Sequence, residues 1–218
     1  MSTLLDVFEL FRNEWEMILV STSEHLFMSV SGVIIAILIG VPLAIWMTKN
    51  EKLALIIQTS INIIQTIPSL ALLLMIMIFF GLGYTTAILA LVCYSFLPIV
   101  QNTYTGLQNV DRHLIEAGKG MGMTPLQLLL KVKIPLAMPV MMAGFRIATV
   151  VSIGVATIAT FVGAGGLGAV IFRGILSTDD VRILAGSIPA AILAVSVDFL
   201  LKWAEKRSGV HLYKARNH

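Results

Sequence analysis

Residues 53–110 read LALIIQTSINIIQTIPSLALLLMIMIFFGLGYTTAILALVCYSFLPIVQNTYTGLQNV and contain no aspartate, glutamate, lysine or arginine. A straight α-helix over such a run would be about 87 Å long, whereas the hydrocarbon core of a bilayer is about 30 Å thick. The run therefore predicts two membrane spans, near residues 56–80 and 84–106. Gly81-Leu82-Gly83 separates them.

The composition of the whole chain agrees with a membrane protein. Of its 218 residues, 57% are hydrophobic and only 12% are charged, whereas soluble proteins have about 25% charged residues. So few ionic groups disfavour a soluble enzyme, a disordered chain and a disulfide scaffold. The single Cys93 cannot form an internal bridge. The net charge of +3 is too small to indicate a nucleic-acid partner.

Three further apolar segments bring the predicted number of spans to five in a single domain, residues 1–218. They lie near 25–48, 139–162 and 183–203. Residues 1–22 are predicted to form an amphipathic helix, whose apolar side chains recur at spacings of four and three: Leu4, Phe8, Phe11, Trp15 and Ile18. Such a helix lies on the membrane surface or packs on the protein, and its pattern fits both.

The distribution of basic residues predicts the orientation of the chain. With the loop at 107–138 placed inside, 12 lysines and arginines lie inside and 3 lie outside. Because basic residues accumulate on the cytoplasmic side of a membrane, we expect the N-terminus outside and the C-terminus in the cytoplasm. The same placement puts Trp46 and Trp203 at the inner interface, where aromatic rings are favoured.

The 107–138 loop is the longest polar segment between spans, and it predicts two short helices. Asp111 can cap a first helix that Gly122 ends, and Thr124-Pro125 can begin a second helix that Pro135 stops. Two short helices joined at a glycine would form a compact knob on the cytoplasmic face. From periodicity alone, a plain solvated connector fits equally well.

The residues of this loop resemble the cytoplasmic coupling loop of permeases from binding-protein-dependent ABC importers. The family pattern is Glu-Ala-Ala, three residues, Gly, nine residues, and Ile-x-Leu-Pro. The residues that match at the right spacing are Glu116, Ala117, Gly122 and Pro135. Gly118 replaces alanine, Val132 replaces isoleucine and Ile134 replaces leucine, and these small changes keep the register.

The resemblance covers most of residues 55–205 and is closest to permeases of osmoprotectant importers. The segments that carry it are QTIPSLAL at 65–72 and GVATIATFVGAGGLG at 154–168. It implies an all-α type I importer transmembrane domain in the plasma membrane of a prokaryote. It also implies a quaternary-amine cargo such as glycine betaine, carnitine or choline, a second permease chain and an external binding protein. No cofactor is expected on this chain, because ATP and Mg²⁺ would bind a partner ATPase pair into which the coupling helix fits.

Polar side chains within the spans indicate a possible path for cargo, since they are costly in lipid unless they face protein or water. Gln58, Asn62, Gln65 and Ser69 fall on one helical face, with Thr66 beside them. A translocation path is the preferred interpretation, and interhelical hydrogen bonding is the alternative. Two weaker candidates lie on the fourth span: Thr157 and Thr160.

A glycine-rich segment follows the fourth span, with glycines at 163, 165, 166 and 168. Gly163, Gly165 and Gly168 satisfy G-x-G-x-x-G, but a dinucleotide site needs a preceding strand, and this segment follows a membrane span. The four glycines, Gly166 included, therefore predict an outer gate or a tight re-entrant turn. The chain also lacks the phosphate-binding pattern G-x-x-x-x-G-K-[ST].

The remaining charged and titratable residues indicate no catalytic or metal centre. Arg146 and Asp198 are the charges nearest the bilayer interior, and both fit anchoring at the inner interface, Asp198 with Lys202 four residues later. No two histidines share a metal-ligand spacing. Two alternative functions stay open: the same importer class with another cargo, such as an amino acid or an oxyanion, and an ion-coupled secondary carrier. A membrane enzyme is less favoured, since no constellation of nucleophile and base is present.

Overall fold

The computed structural model describes residues 2–213, with side chains for residues 5–206, and this part of the chain is helical without a strand. This confirms the predicted all-α class. Residues 2–213 form ten α-helices: α1 Ser2–Asn13, α2 Trp15–Met47, α3 Glu51–Thr66, α4 Ser69–Phe80, α5 Tyr84–Gln108, α6 Arg112–Gly120, α7 Pro125–Leu128, α8 Ile134–Ala156, α9 Leu167–Ser177 and α10 Asp180–Tyr213. A π-helical turn, Leu129–Lys133, joins α7 to α8, and a 3₁₀ turn, Thr157–Val162, follows α8.

Within the part of the chain that the structure describes, four helical segments are long and apolar enough to cross a bilayer: Trp15–Met47, Tyr84–Gln108, Pro125–Val162 and Asp180–Lys206. The count rises to five when the bent pair α3 and α4 is taken as one broken span. Lys214 and Arg216, two of the residues used to predict the orientation, lie outside the described residues.

The segment predicted as a span at 56–80 is not one continuous helix. The chain bends by 100° between α3 and α4. Ile67 has an extended backbone (φ −71°, ψ 126°) because the ring of Pro68 disfavours the helical conformation in the preceding residue. The Tyr94 hydroxyl donates a hydrogen bond to the Ile67 carbonyl at 2.5 Å, so the interrupted backbone keeps a partner. Ser69 consequently begins α4 and leaves the helical face on which it was predicted.

The N-terminal helix is shorter than predicted. The predicted helix over 1–22 divides at Glu14: α1 ends at Asn13, and Trp15 already belongs to α2, which continues into the first span. Within α1 and early α2, Val7 and Ile18 are buried, whereas Phe8 and Trp15 are exposed. α1 packs against α10.

Pro135 does not stop the helix that begins at Pro125, contrary to the prediction. α7, the π turn, α8 and the 3₁₀ turn follow one another as one apolar rod of 38 residues from Pro125 to Val162. Pro135 lies in the first turn of α8, directly after the π turn. A missing N–H is tolerated there because the wider π turn changes the hydrogen-bond register before the proline.

α5 forms the centre of the bundle and packs between α2 and α8. Small residues recur every four positions on α2, at Gly32, Ala36, Gly40 and Ala44. They allow this approach, because a Cβ added to Gly32 would lie 2.7 Å from Leu91 Cβ. On the other side, a Cβ added to Gly144 would lie 2.6 Å from the Pro98 carbonyl oxygen. Glycines at helix crossings thus fix α2, α5 and α8 at close distance.

Candidate functional site

The predicted knob is formed by α6 and α7, and its turns have the predicted caps. The Asp111 side chain accepts a hydrogen bond from the His113 N–H at 2.9 Å. Gly122 has φ +77°, a left-handed conformation that ends the first helix and favours glycine. Thr124 and Gln127 form a reciprocal capping box at the start of α7, with distances of 2.9 and 3.3 Å.

Gly118 is the contact point between the two helices of the knob. It is buried, and a Cβ placed there would lie 2.7 Å from Leu128 Cδ1 and 3.4 Å from Met123 Sδ. The Met123 N–H donates to the Gly118 carbonyl at 3.1 Å. Ile115, on the same side of α6, packs with Leu107 and Ala137. The knob is therefore attached to the bases of α5 and α8.

The opposite face of the knob is exposed and combines charged and apolar side chains. Glu116 and Ala117 are exposed. The exposed large apolar side chains of the knob and the turn after it are Leu114, Met121, Leu126 and Leu130. A surface that combines one carboxylate with several uncovered apolar side chains is typical of a contact with another protein. Pro135, the last residue of the predicted coupling pattern, lies half-buried on α8.

The glycine-rich segment forms a compact loop, residues 163–166, between the 3₁₀ turn and α9. The Gly83 N–H donates to the Val162 carbonyl at 2.6 Å, which ties this loop to the start of α5. Gly168 packs so closely that a Cβ would overlap the Thr157 carbonyl oxygen. Gly163 is exposed, whereas Gly166 and Gly168 are buried.

A carboxylate of the first spanning helix holds this loop. Glu24 Oε2, on α2, accepts a hydrogen bond from the Gly166 N–H at 2.9 Å. A Cβ at Gly165 would lie 2.5 Å from the same oxygen, and a Cβ at Gly166 would lie 3.4 Å from the His25 backbone. Nothing in the local pattern around Glu24 indicates this contact, because the two partners are 142 residues apart.

The polar side chains of the predicted path divide into two groups. Gln65 donates to the Tyr94 carbonyl of α5 at 2.9 Å, which is the interhelical role weighed as the alternative. Asn62 and Thr66 are exposed, and Gln58 is half-buried. Thr66 donates to the Ile63 carbonyl of α3, and Thr157 donates to the Gly154 carbonyl at the end of α8, each at 2.7 Å. Thr160 lies half-buried in the 3₁₀ turn. α3 thus keeps uncovered polar groups within an apolar segment.

Residues 24–210 match the family of binding-protein-dependent transport system inner membrane components. The chain belongs to this family. The permease is 46% identical, over 207 residues, to the carnitine transport permease protein OpuCD of Listeria monocytogenes, with 94% of this chain and 93% of the relative covered. Such coverage extends from the first spanning helix through the knob and the glycine loop.

Two further relatives are of similar length. The glycine betaine/carnitine/choline transport system permease protein OpuCD of Bacillus subtilis is 48% identical over 183 residues, which are 84% of the permease and 80% of the relative. The osmoprotectant import permease protein OsmW of Salmonella typhimurium is 42% identical over 185 residues, 83% of the permease and 86% of the relative.

Solved structures confirm the fold. The permease superposes on a chain of the MetNI methionine ABC transporter with a TM-score of 0.82 at 24% identity, covering 90% of this chain and 98% of that chain. An amino acid ABC transporter gives a TM-score of 0.73 at 22% identity, with 92% and 98% covered. The permease therefore has the transmembrane fold of type I ABC importers, as predicted, and is a multi-pass membrane protein.

His25 and Ser152 are buried polar side chains of the permease whose hydrogen-bond partners lie on another helix. His25 Nε2 lies 2.9 Å from the Ile153 carbonyl oxygen, and Ser152 donates to the Ser29 carbonyl at 3.2 Å. These contacts join α2 to α8. Within the described residues, no group of three histidine, cysteine or acidic side chains could hold a metal ion.

Arg146 and Asp198, predicted as separate interfacial anchors, face each other across α8 and α10. Arg146 Nη1 lies 3.7 Å from Asp198 Oδ1, and Arg146 Nε lies 3.5 Å from Glu205 Oε2. Asp198 was predicted to pair with Lys202 on the same helix, but its ion-pair partner in the structure is Arg146. The spacing of four residues indicated a helical pair, but Arg146 on the neighbouring helix lies in ion-pair range instead.

Proposed function

We propose that the chain is the membrane-spanning subunit of an ATP-driven importer for quaternary-amine compatible solutes, such as glycine betaine, carnitine and choline. The observation that carries this proposal is the 42–48% identity, over most of each chain, with permeases whose names specify carnitine, choline or osmoprotectant transport. Uptake of these solutes would protect a cell under osmotic stress.

The knob is proposed as the contact with the ATPase. Glu116, Ala117, Gly118, Gly122 and Pro135 carry the coupling pattern, and the exposed face of α6 and α7 offers the mixed surface that a docking contact needs. ATP and Mg²⁺ would be bound by a separate pair of ATP-binding subunits. An external binding protein and a second permease chain, identical or similar, would complete the assembly.

The rod from Pro125 to Val162 supplies a mechanism for the coupling. It begins in the knob and ends at the glycine loop, and its 38 residues correspond to about 57 Å at 1.5 Å per residue. A displacement of the knob would therefore reach the base of the glycine loop along a continuous helical segment. The π turn and the 3₁₀ turn at its ends are the segments where a helix changes register most easily.

The orientation proposed for the chain places the knob in the cytoplasm and the glycine loop outside. The excess of lysine and arginine on the knob side supports this arrangement, with the N-terminus outside and the C-terminus inside. Gly163, Gly165, Gly166 and Gly168 would then form part of an outer gate.

The cargo path is proposed along the uncovered polar face of α3. Gln58 and Asn62 lie there in an apolar helix, and such groups are costly against lipid. A second permease chain facing α3 would place them against water and protein. Thr66, Ser69, Thr157 and Thr160 are further candidates, whereas Gln65 has a structural partner on α5.

The proposal is tested by uptake in cells that lack their own transporters for these solutes. The chain is expressed with its ATPase, binding protein and partner permease, identified by purification in mild detergent, and import of labelled glycine betaine, carnitine and choline is measured at high salt. We expect ATP-dependent uptake of at least one of them. Uptake of only an amino acid or an oxyanion would overturn the cargo assignment, and purification without an ATPase would overturn the importer assignment.

A further inference from the structure

A cleft between α8 and α10 contains an ion cluster that the fold alone does not explain. Its volume is about 230 Å³, and five residues line it: Arg146, Ile147, Val150, Val151 and Asp198. Arg146 lies near the middle of α8, about 18 Å from Ile134 and about 15 Å from Ala156 at 1.5 Å per residue. Charged groups inside a spanning helix are rare and face protein or water, where they usually have a function.

The charged groups of the cleft are incompletely satisfied. The two ion pairs of Arg146, at 3.7 and 3.5 Å, are longer than hydrogen bonds. Among the described residues, Arg146 Nε and Glu205 Oε2 have no hydrogen-bond partner. The side chain of Asp198 is 44% exposed. Arg146 Nε is a buried atom that faces Glu205, whereas the Arg146 side chain as a whole is 26% exposed. This leaves the terminal N–H groups of the guanidinium as the donors for a further carboxylate, and the Asp198 carboxylate is open to a cation.

The charged and apolar side chains that line the cleft indicate the chemical class of its ligand. Arg146 and Asp198 give the lining one positive and one negative group, which matches the two charges of a zwitterion, and Glu205 lies beside Arg146 outside the lining. Ile147, Val150 and Val151 form the apolar part of the lining. A quaternary ammonium group has no N–H to donate, and it needs negative charge together with apolar contacts for its methyl groups. A cleft lined only by polar groups would instead favour a primary amine.

We infer that the α8–α10 cleft is a transit site for a zwitterionic quaternary amine, with the cargo carboxylate at Arg146 and its ammonium group at Asp198. This inference rests on the proposed function and assigns residues to its cargo. Arginine offers several N–H donors that suit a carboxylate, and the cargo would replace the long pair between Arg146 and Asp198 with two closer ones. None of the five lining residues is aromatic, so the ammonium group gains no cation–π contact and binds weakly. Weak binding suits a site that must release its cargo.

The first test measures binding without changing the charges. A thiol is introduced by Val151→Cys in a Cys93→Ser background, and its labelling by a water-soluble thiol reagent is followed in the purified complex. Glycine betaine at tens of millimolar is expected to slow labelling at least threefold, and choline, which lacks the carboxylate, is expected to slow it less. The control is Ser177→Cys, at the exposed end of α9, which should label at the same rate with and without solute.

The second test measures transport and distinguishes the role of Arg146 from the role of Asp198. Arg146→Gln is expected to reduce import of glycine betaine and carnitine at least fivefold more than import of choline, and Asp198→Asn to reduce all three. Arg146→Lys should restore part of the loss.

The two tests distinguish failure of the inference from failure of the proposed function. Absence of protection by glycine betaine, in a wild-type complex that imports it, overturns the transit site and leaves the importer assignment intact. Protection in a complex that imports no quaternary amine supports the site and overturns the proposed function.

Discussion

The Glu24 carboxylate on α2 accepts a hydrogen bond at 2.9 Å from the Gly166 N–H at the start of α9. Gly166 has φ +75°, and the loop that precedes it is tied to α5 by the bond from the Gly83 N–H to the Val162 carbonyl. A carboxylate at the first turn of a helix also interacts favourably with the helix dipole. One side chain therefore holds the glycine loop to the first spanning helix.

Replacement of Glu24 by alanine should loosen the glycine loop. A hydrogen bond to a charged group contributes about 1.5–3 kcal/mol, which corresponds to roughly a tenfold to hundredfold change in an opening equilibrium. A thiol introduced by Ala164→Cys, at a buried position, should label at least tenfold faster in Glu24→Ala than in the parent. Glu24→Gln, which keeps an acceptor oxygen, should give a smaller increase.

The matched control is Glu16→Ala, which removes an exposed carboxylate from the same helix. It should leave the labelling rate unchanged. Equal rates in the parent and in Glu24→Ala would show that Gly83 and the packing of Gly168 hold the loop without this bond.

Two prolines show what the sequence could and could not predict. The absence of charge predicted the spans, and the turn residues predicted both caps of the knob. Pro135 was expected to stop a helix, and Pro68 lies inside the segment predicted as one span, but the effect of each proline depends on what satisfies the interrupted backbone. At Pro68 the Tyr94 hydroxyl accommodates a break, whereas at Pro135 a π turn lets the helix continue. These partners come from tertiary packing, which periodicity does not contain.

The contacts of Glu24 and Arg146 were unpredictable for the same reason. Glu24 stands directly before the segment predicted as the first span, near 25–48, and Arg146 was interpreted as an interfacial anchor. Their partners, Gly166 and Asp198, are far away along the chain, and no local rule relates such pairs.

Reversal of the charge at Glu116 should uncouple the permease. Glu116 is exposed on the knob and takes no part in its internal packing, so Glu116→Lys should insert and fold normally while uptake falls more than tenfold. Uptake and the amount of protein in the membrane are measured together. Gly122→Asp should act in the same direction, since a side chain at φ +77° costs about 1–2 kcal/mol.

Glu9→Lys is the control for Glu116→Lys, because it reverses an exposed charge on α1. Its uptake should equal that of the parent. Unchanged transport in Glu116→Lys would remove Glu116 from the coupling contact.

The two glycines of α6 should respond differently to alanine. At Gly120 a Cβ meets no atom within 4 Å, so Gly120→Ala should stabilise the helix by about 0.5–1 kcal/mol. At Gly118 the same methyl group would lie 2.7 Å from Leu128 Cδ1 and forces that side chain to move. Overpacking costs about 1–3 kcal/mol, so Gly118→Ala should unfold at a lower temperature than Gly120→Ala in detergent. Equal unfolding temperatures would mean that Leu128 repacks without cost.

Removal of the Tyr94 hydroxyl should destabilise the bend between α3 and α4. The hydroxyl donates to the Ile67 carbonyl at 2.5 Å, and Tyr94 is buried, so in Tyr94→Phe the carbonyl loses its partner where water is scarce. An unsatisfied buried acceptor costs about 1–3 kcal/mol, which should appear as a lower unfolding temperature followed by tryptophan fluorescence. In Tyr104→Phe, the change should stay within about 0.5 kcal/mol, because that hydroxyl has only an exposed contact with Gln108 at 3.3 Å. Equal loss in both variants would show that the hydrogen bond to Ile67 has no special role, whereas loss confined to Tyr94→Phe assigns the effect to the carbonyl that Pro68 leaves outside the helix.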